Sequence, residues 1–195
     1  MTTVHAPQET HEPADILRGL YGDGIIGLKG AFPRDWVVRM REDIETLFAE
    51  AQQVPGGALP RGPQRWYVEV HQERIRGFVD IVTHPWFVAV CEAVLGPDYR
   101  IVEVGFDIPF PGAADQPWHR DFDVPEATTK GRRLNSLAFN LTAVDTIPEM
   151  GPFEVAPGTQ WDQFDGCAKG MFEVAPIPQS VPRFRPQAAA RCFFS

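Results

Sequence analysis

Gln116-Pro117-Trp118-His119-Arg120-Asp121-Phe122 is the stretch that decides how this chain is read. His119 and Asp121 stand two residues apart, and on an extended strand the side chains at i and i+2 project from the same face. An imidazole and a carboxylate are thereby presented side by side, as two corners of a metal site. Sites of two histidines and one carboxylate hold iron and leave coordination positions open. The pair alone is weak: with 5 His and 13 Asp in 195 residues, His-x-Asp arises often by chance. Read by itself, a solvated or hydrogen-bonded histidine is the commoner meaning. The surrounding sequence changes that balance.

Downstream, Val124 to Arg133 is polar and turn-like, and its Lys130-Gly131-Arg132-Arg133 reads as a solvated cluster. Leu134 to Val144 alternates, placing Leu137, Phe139, Leu141 and Ala143 on one face of a predicted strand, with Asn135, Asn140 and Thr142 among the others. Gly151-Pro152 breaks the chain, Phe153-Glu154-Val155 reads as a short strand, and Pro157-Gly158 as a turn. Upstream, Arg100 to Phe110 alternates into an apolar run and Arg65 to Val70 has strand composition.

Helices lie earlier. Ala14 to Leu20 reads as a short helix, and Ile25 to Leu28 as a buried strand. Pro33 opens the clearest helix, with Trp36, Val37, Met40, Ile44, Leu47 and Phe48 at helical spacing. Pro85 opens another, with Thr83 expected as N-cap and Gly96-Pro97 as the stop. His84, at its start, is expected to cap or to be solvated rather than to bind metal. Helices early and strands late predict an α+β fold with a β-sandwich or barrel core. One domain suits the length.

Composition narrows the function. The net charge of −8 lacks the electrostatic footprint of a nucleic-acid binder. No apolar run is long enough to span a membrane as a helix. Cys91, Cys167 and Cys192 are widely spaced and odd in number, which points to a reducing, cytoplasmic setting rather than a disulfide framework. The 19 prolines and 17 glycines favour turns and short strands over a helical bundle.

Three linked motifs now stand in order: Trp118-His119-Arg120-Asp121; the Leu137–Val144 strand running into Asp145 and Glu149-Met150-Gly151; and Pro157-Gly158-Thr159-Gln160. With the opening Asp23-Gly24-Ile25-Ile26-Gly27-Leu28, they resemble the phytanoyl-CoA dioxygenase family, over roughly residues 14 to 165. The resemblance implies a double-stranded β-helix (a jelly roll, cupin-like) with N-terminal helices packed outside. It implies Fe(II) and 2-oxoglutarate, with His119 and Asp121 as metal ligands and hydroxylation of a small organic substrate. Asn140 is a candidate to hydrogen-bond the co-substrate, or makes a structural hydrogen bond. Trp118 either walls the site or fills the core.

The pattern then departs from that family. A facial triad needs a second histidine, which in that family comes from a late strand and is followed by an arginine for the far carboxylate of 2-oxoglutarate; no histidine follows His119. His71, His84, Cys192, Asp162, Asp165 and Glu173 are substitutes by chemistry only. Arg183, Arg185 and Arg191 read as solvated charges. Residues 1–13 are expected as a tail, 14–175 as an incomplete jelly-roll domain and 176–195 as an irregular end, the chain stopping before the closing strands. Unpaired strand edges then predict association or aggregation. The competing reading is a catalytically inactive fragment or non-enzymatic binding module without the third ligand. A further one is an unrelated α+β binding protein.

Overall fold

The computed structural model describes residues 12–116, 118–119 and 126–161. Helix α1 spans Pro13–Gly22, with proline in its first turn, where the missing N–H costs nothing. Helix α2, Arg34–Ala51, begins immediately after Pro33. Its periodic apolar residues turn inward as expected: Trp36, Met40, Leu47 and Phe48 are buried. The charged face is laced by Arg39–Asp35 (2.9 Å) and Arg41–Glu45 (2.8 Å), each spaced i, i+4. Such exposed pairs are screened by water and contribute little, so the buried stripe sets the position of the helix.

Strands β1 (Leu59–Pro60), β2 (Arg65–Glu69) and β3 (Gly105–Pro109) form an antiparallel sheet in the order β1-β2-β3. Tyr67 stands opposite Leu59 on one side and Asp107 on the other. Between β2 and β3 lie a 3-10 turn at Gln72–Arg74, a one-turn helix α3 at Phe78–Val82, and helix α4 at Pro85–Leu95. Arg76 ties this segment to α2: its Nε reaches Asp43 Oδ1 and its backbone N–H donates to Asp43 Oδ2, both at 2.7 Å.

The N-terminus of α4 differs from expectation. Thr83 ends α3, its hydroxyl donating to the Val79 carbonyl (2.6 Å), and His84 holds the N-cap position. The His84 side chain makes no capping bond and is half-buried. It packs edge-on to Phe32 and 5.3 Å from Trp86, ring centre to ring centre. A one-turn helix ahead of α4 leaves no room for the extended lead-in that a Thr83 cap requires. α4 buries Trp86, Phe87, Val90, Cys91 and Val94. At about 1.5–3 kcal/mol per large apolar side chain removed from water, this helix anchors the principal core.

The remaining strand expectations meet a different outcome. Ile25–Leu28, Arg100–Glu103 and Leu134–Val144 carry no regular strand among the described residues. Val155 makes only a single bridge. Alternation survives all the same. Ile26 and Leu28, and Leu137, Phe139, Leu141 and Ala143, pack every second residue against the main core. Burial on one face sets the period of two, while a strand also needs a backbone partner to accept and donate its hydrogen bonds. Residues 126–131, expected as turn, form the short helix α5 (Glu126–Gly131), which takes in the start of the basic cluster and carries an exposed Lys130–Glu126 ion pair.

Candidate functional site

Two of the three residues expected at the site are described. His119 is half-buried, beside a half-buried Trp118. Asn140 is half-buried within the 134–144 stretch. Asp121 lies outside the described residues, so the convergence of His119 and Asp121 rests on their spacing. Phe139, next to Asn140, packs with its ring centre 4.4 Å from that of Phe87, tilted to it, and lies 6.4 Å from Trp86. That contact turns Phe139 toward α4, and alternation turns Asn140 the other way.

Among the substitutes for a third ligand, His71 is exposed and 3.8 Å from Glu73, and His84 is packed among aromatic rings. Cys192, Asp162, Asp165, Glu173, Arg183, Arg185 and Arg191 lie outside the described residues. Among the described residues no group of three His, Cys, Asp or Glu is placed to hold a metal ion. The donor chemistry of His119 with Asp121 suits Fe(II), which accepts imidazole and carboxylate together. Cys91 is 2% exposed, and burial pushes its thiol up to about 12, far from the thiolate a metal needs.

The Pro157-Gly158-Thr159-Gln160 motif has a role the sequence did not announce. A 3-10 turn at Thr159–Trp161 lays Gln160 against the end of α1. Its Nε2 donates to the carbonyls of Gly22 (3.0 Å) and Leu20 (3.3 Å). Trp161 Nε1 donates to Tyr21 O at 3.3 Å, and the Gly158 N–H to Asp23 O at 2.9 Å. Carbonyls left over at a helix C-terminus are satisfied here by a segment some 140 residues away. The only sequence signal was the glycine at position 24, where the chain must let Gln160 approach.

A polar network covers the face of the sheet opposite α2. Arg65 Nε donates to Asp107 Oδ2 at 2.7 Å, and its NH2 group bonds the same oxygen. The Tyr67 hydroxyl donates to Glu103, and the Arg61 guanidinium lies 4.6 Å from the centre of the Tyr67 ring. Burial first, and the carboxylate of Glu103 second, hold the Tyr67 phenol protonated well above its ordinary range. A Cβ at Gly105 would overlap the Tyr67 hydroxyl, so glycine there is what admits the phenol. Sequence reading passed over these residues because their polar character looked like ordinary strand alternation.

Helices gathered on one side of antiparallel and extended segments define an α+β protein, and a His-x-Asp pair lies downstream in its sequence. The sequence model of the phytanoyl-CoA dioxygenase (PhyH) family matches residues 20–173, and the chain belongs to that family. The match takes in His119, Asp121, Asn140 and Gln160. Its members generally use Fe(II) and 2-oxoglutarate in dioxygenase-type reactions. No curated protein and no solved structure matches the chain. Among the described residues, no helix is long and apolar enough to cross a membrane.

Proposed function

We propose that this protein is an Fe(II)- and 2-oxoglutarate-dependent dioxygenase scaffold that hydroxylates a small organic molecule, built on a double-stranded β-helix. The observation that carries the reading is the family match across 20–173, which contains His119-x-Asp121 and the Pro157–Gln160 turn in family order. The apolar alternate residues of β2, β3 and 137–143 all face helices, as the outer wall of a jelly roll would.

In this reading His119 and Asp121 hold the iron, the imidazole as a neutral nitrogen donor and the carboxylate as an anionic one. When bound, iron and 2-oxoglutarate together supply the oxidising power for hydroxylation as the co-substrate is decarboxylated to succinate. Asn140, facing away from the helices, donates its amide to a co-substrate carboxylate. Half-buried Trp118 shields the neighbouring His119 from bulk water.

The test is succinate formation from 2-oxoglutarate with Fe(II), compared in the wild-type chain and in His119→Ala and Asp121→Ala. Iron-dependent succinate that disappears in both variants supports the enzyme. A second reading is a binding module on the same scaffold. Binding of 2-oxoglutarate without turnover would select it.

A further inference from the structure

Two extended units of the fold turn the same way. β2 and β3 lay Trp66, Val68, Phe106 and Ile108 in a cluster with α2, while the 134–144 stretch packs on α4. The two clusters share Ile44, Val70 and Ile75, so the helices form one continuous layer. Alternation then turns Arg65, Tyr67 and Asp107, and on the other unit Asn140, away from that layer.

A sheet face that merely met water would carry long, exposed, mobile charges. Arg65 and Asp107 are instead only 17% and 18% exposed, and they are locked together. Both Arg65 bonds go to Oδ2 of Asp107. The other oxygen, Oδ1, is buried and accepts no hydrogen bond among the described residues. Buried acceptors in native proteins are nearly always satisfied, and an exception calls for a partner from outside. Next along the face, Gly105 clears the space in which the Tyr67 hydroxyl is held. Among the described residues this acceptor is therefore unpartnered; its carboxylate is fixed by Arg65 and stands opposite Tyr67 in the sheet.

We propose that this face recognises the substrate, with Asp107 Oδ1 accepting a hydrogen bond from its donor head group, an ammonium or a hydroxyl, beside Tyr67. The inference deepens the dioxygenase reading and rests on it, but its test does not require iron. The probes are n-hexylamine and 1-hexanol, titrated into the metal-free chain by calorimetry. Asp107→Asn is the informative variant. Arg65 needs an oxygen at the Oδ2 position, so the new NH2 group falls where Oδ1 stood and turns an acceptor into a donor. Saturable binding of either probe, weakened at least tenfold by Asp107→Asn and severalfold by Tyr67→Phe, is expected. The amine binding alone identifies an ammonium, and the alcohol alone a hydroxyl. Tyr67→Phe and Gly105→Ala leave the ion pair intact and decide the matter if Asp107→Asn misfolds by circular dichroism. Failure of both probes to bind, or unchanged affinity in the variants, overturns the proposal. Probe binding that persists while His119→Ala leaves Fe(II) affinity unchanged would instead sink the dioxygenase reading and spare the site.

Discussion

Gln160 lies directly over Gly24: a Cβ added at Gly24 would sit 2.6 Å from Gln160 Oε1 and 2.8 Å from its Cδ. Gly24 also has φ of +79°, where side chains are strained. The contact joins the end of α1 to the late Pro-Gly-Thr-Gln turn, so with the bonds of Gly158 and Trp161 the Gln160 amide ties the first described part of the chain to the last.

Removing either side of this contact should destabilise the protein. Gly24→Ala combines left-handed strain with a clash and is expected to cost about 1–3 kcal/mol. Gln160→Ala gives up the donor to the Gly22 and Leu20 carbonyls and should cost about 1–2 kcal/mol. Gln160→Glu should cost more than Gln160→Ala, because it sets a carboxylate against the negative end of α1. Urea unfolding of the three variants checks the order.

Phe139 and Asn140 should separate stability from binding. Phe139→Ala removes a ring packed against Phe87 at 4.4 Å and should cost about 3–5 kcal/mol. Asn140→Ala should leave the midpoint of thermal unfolding nearly unchanged and weaken 2-oxoglutarate binding. The reverse pattern would place the helix-facing side of this stretch wrongly.

Cys91 should be inert at neutral pH. Its thiol is raised by burial from 9.0 to about 12. Below pH 9 both folded and unfolded thiols are neutral, so the group adds no pH dependence there. Between pH 9 and about 12 the unfolded thiol ionises first, and stability falls as pH rises. In a Cys167→Ser, Cys192→Ser background, reaction with a thiol reagent should be slow in native buffer and fast in denaturant. Cys91→Ala should flatten the alkaline loss of stability.

Iron should bind this chain weakly. His119 and Asp121 provide two donors, and two donors hold an ion far less firmly than a full facial set. Anaerobic Fe(II) titration should show low affinity that both His119→Ala and Asp121→Ala abolish. Tight, stoichiometric binding would reveal a third donor.

Association is expected through extended segments. Val102 is 72% exposed beside β3, and Val144 and Ile147 are exposed at the end of the alternating stretch. Size-exclusion chromatography should show concentration-dependent association, reduced by Val102→Lys, which charges the segment leading into the sheet.

The sequence by itself determined the helices and the direction in which side chains face. Helices α2 and α4 follow from apolar period, a proline at or just before the start, and, for α4, a Gly-Pro stop. The inward set of 137, 139, 141 and 143 follows from alternation alone. These are local properties, written in neighbours a few residues apart. The family was also legible, because its motifs are short and ordered along the chain. Only the tertiary structure decided which extended segments become strands, since a strand needs a partner distant in sequence. It alone seated Gln160 on α1, set Thr83 at the end of α3 rather than the start of α4, and joined Arg65 to Asp107 and Tyr67 to Glu103. Each of those contacts closes a loop whose entropy the local sequence does not encode, so the choice is made by burial and hydrogen bonding over the whole fold.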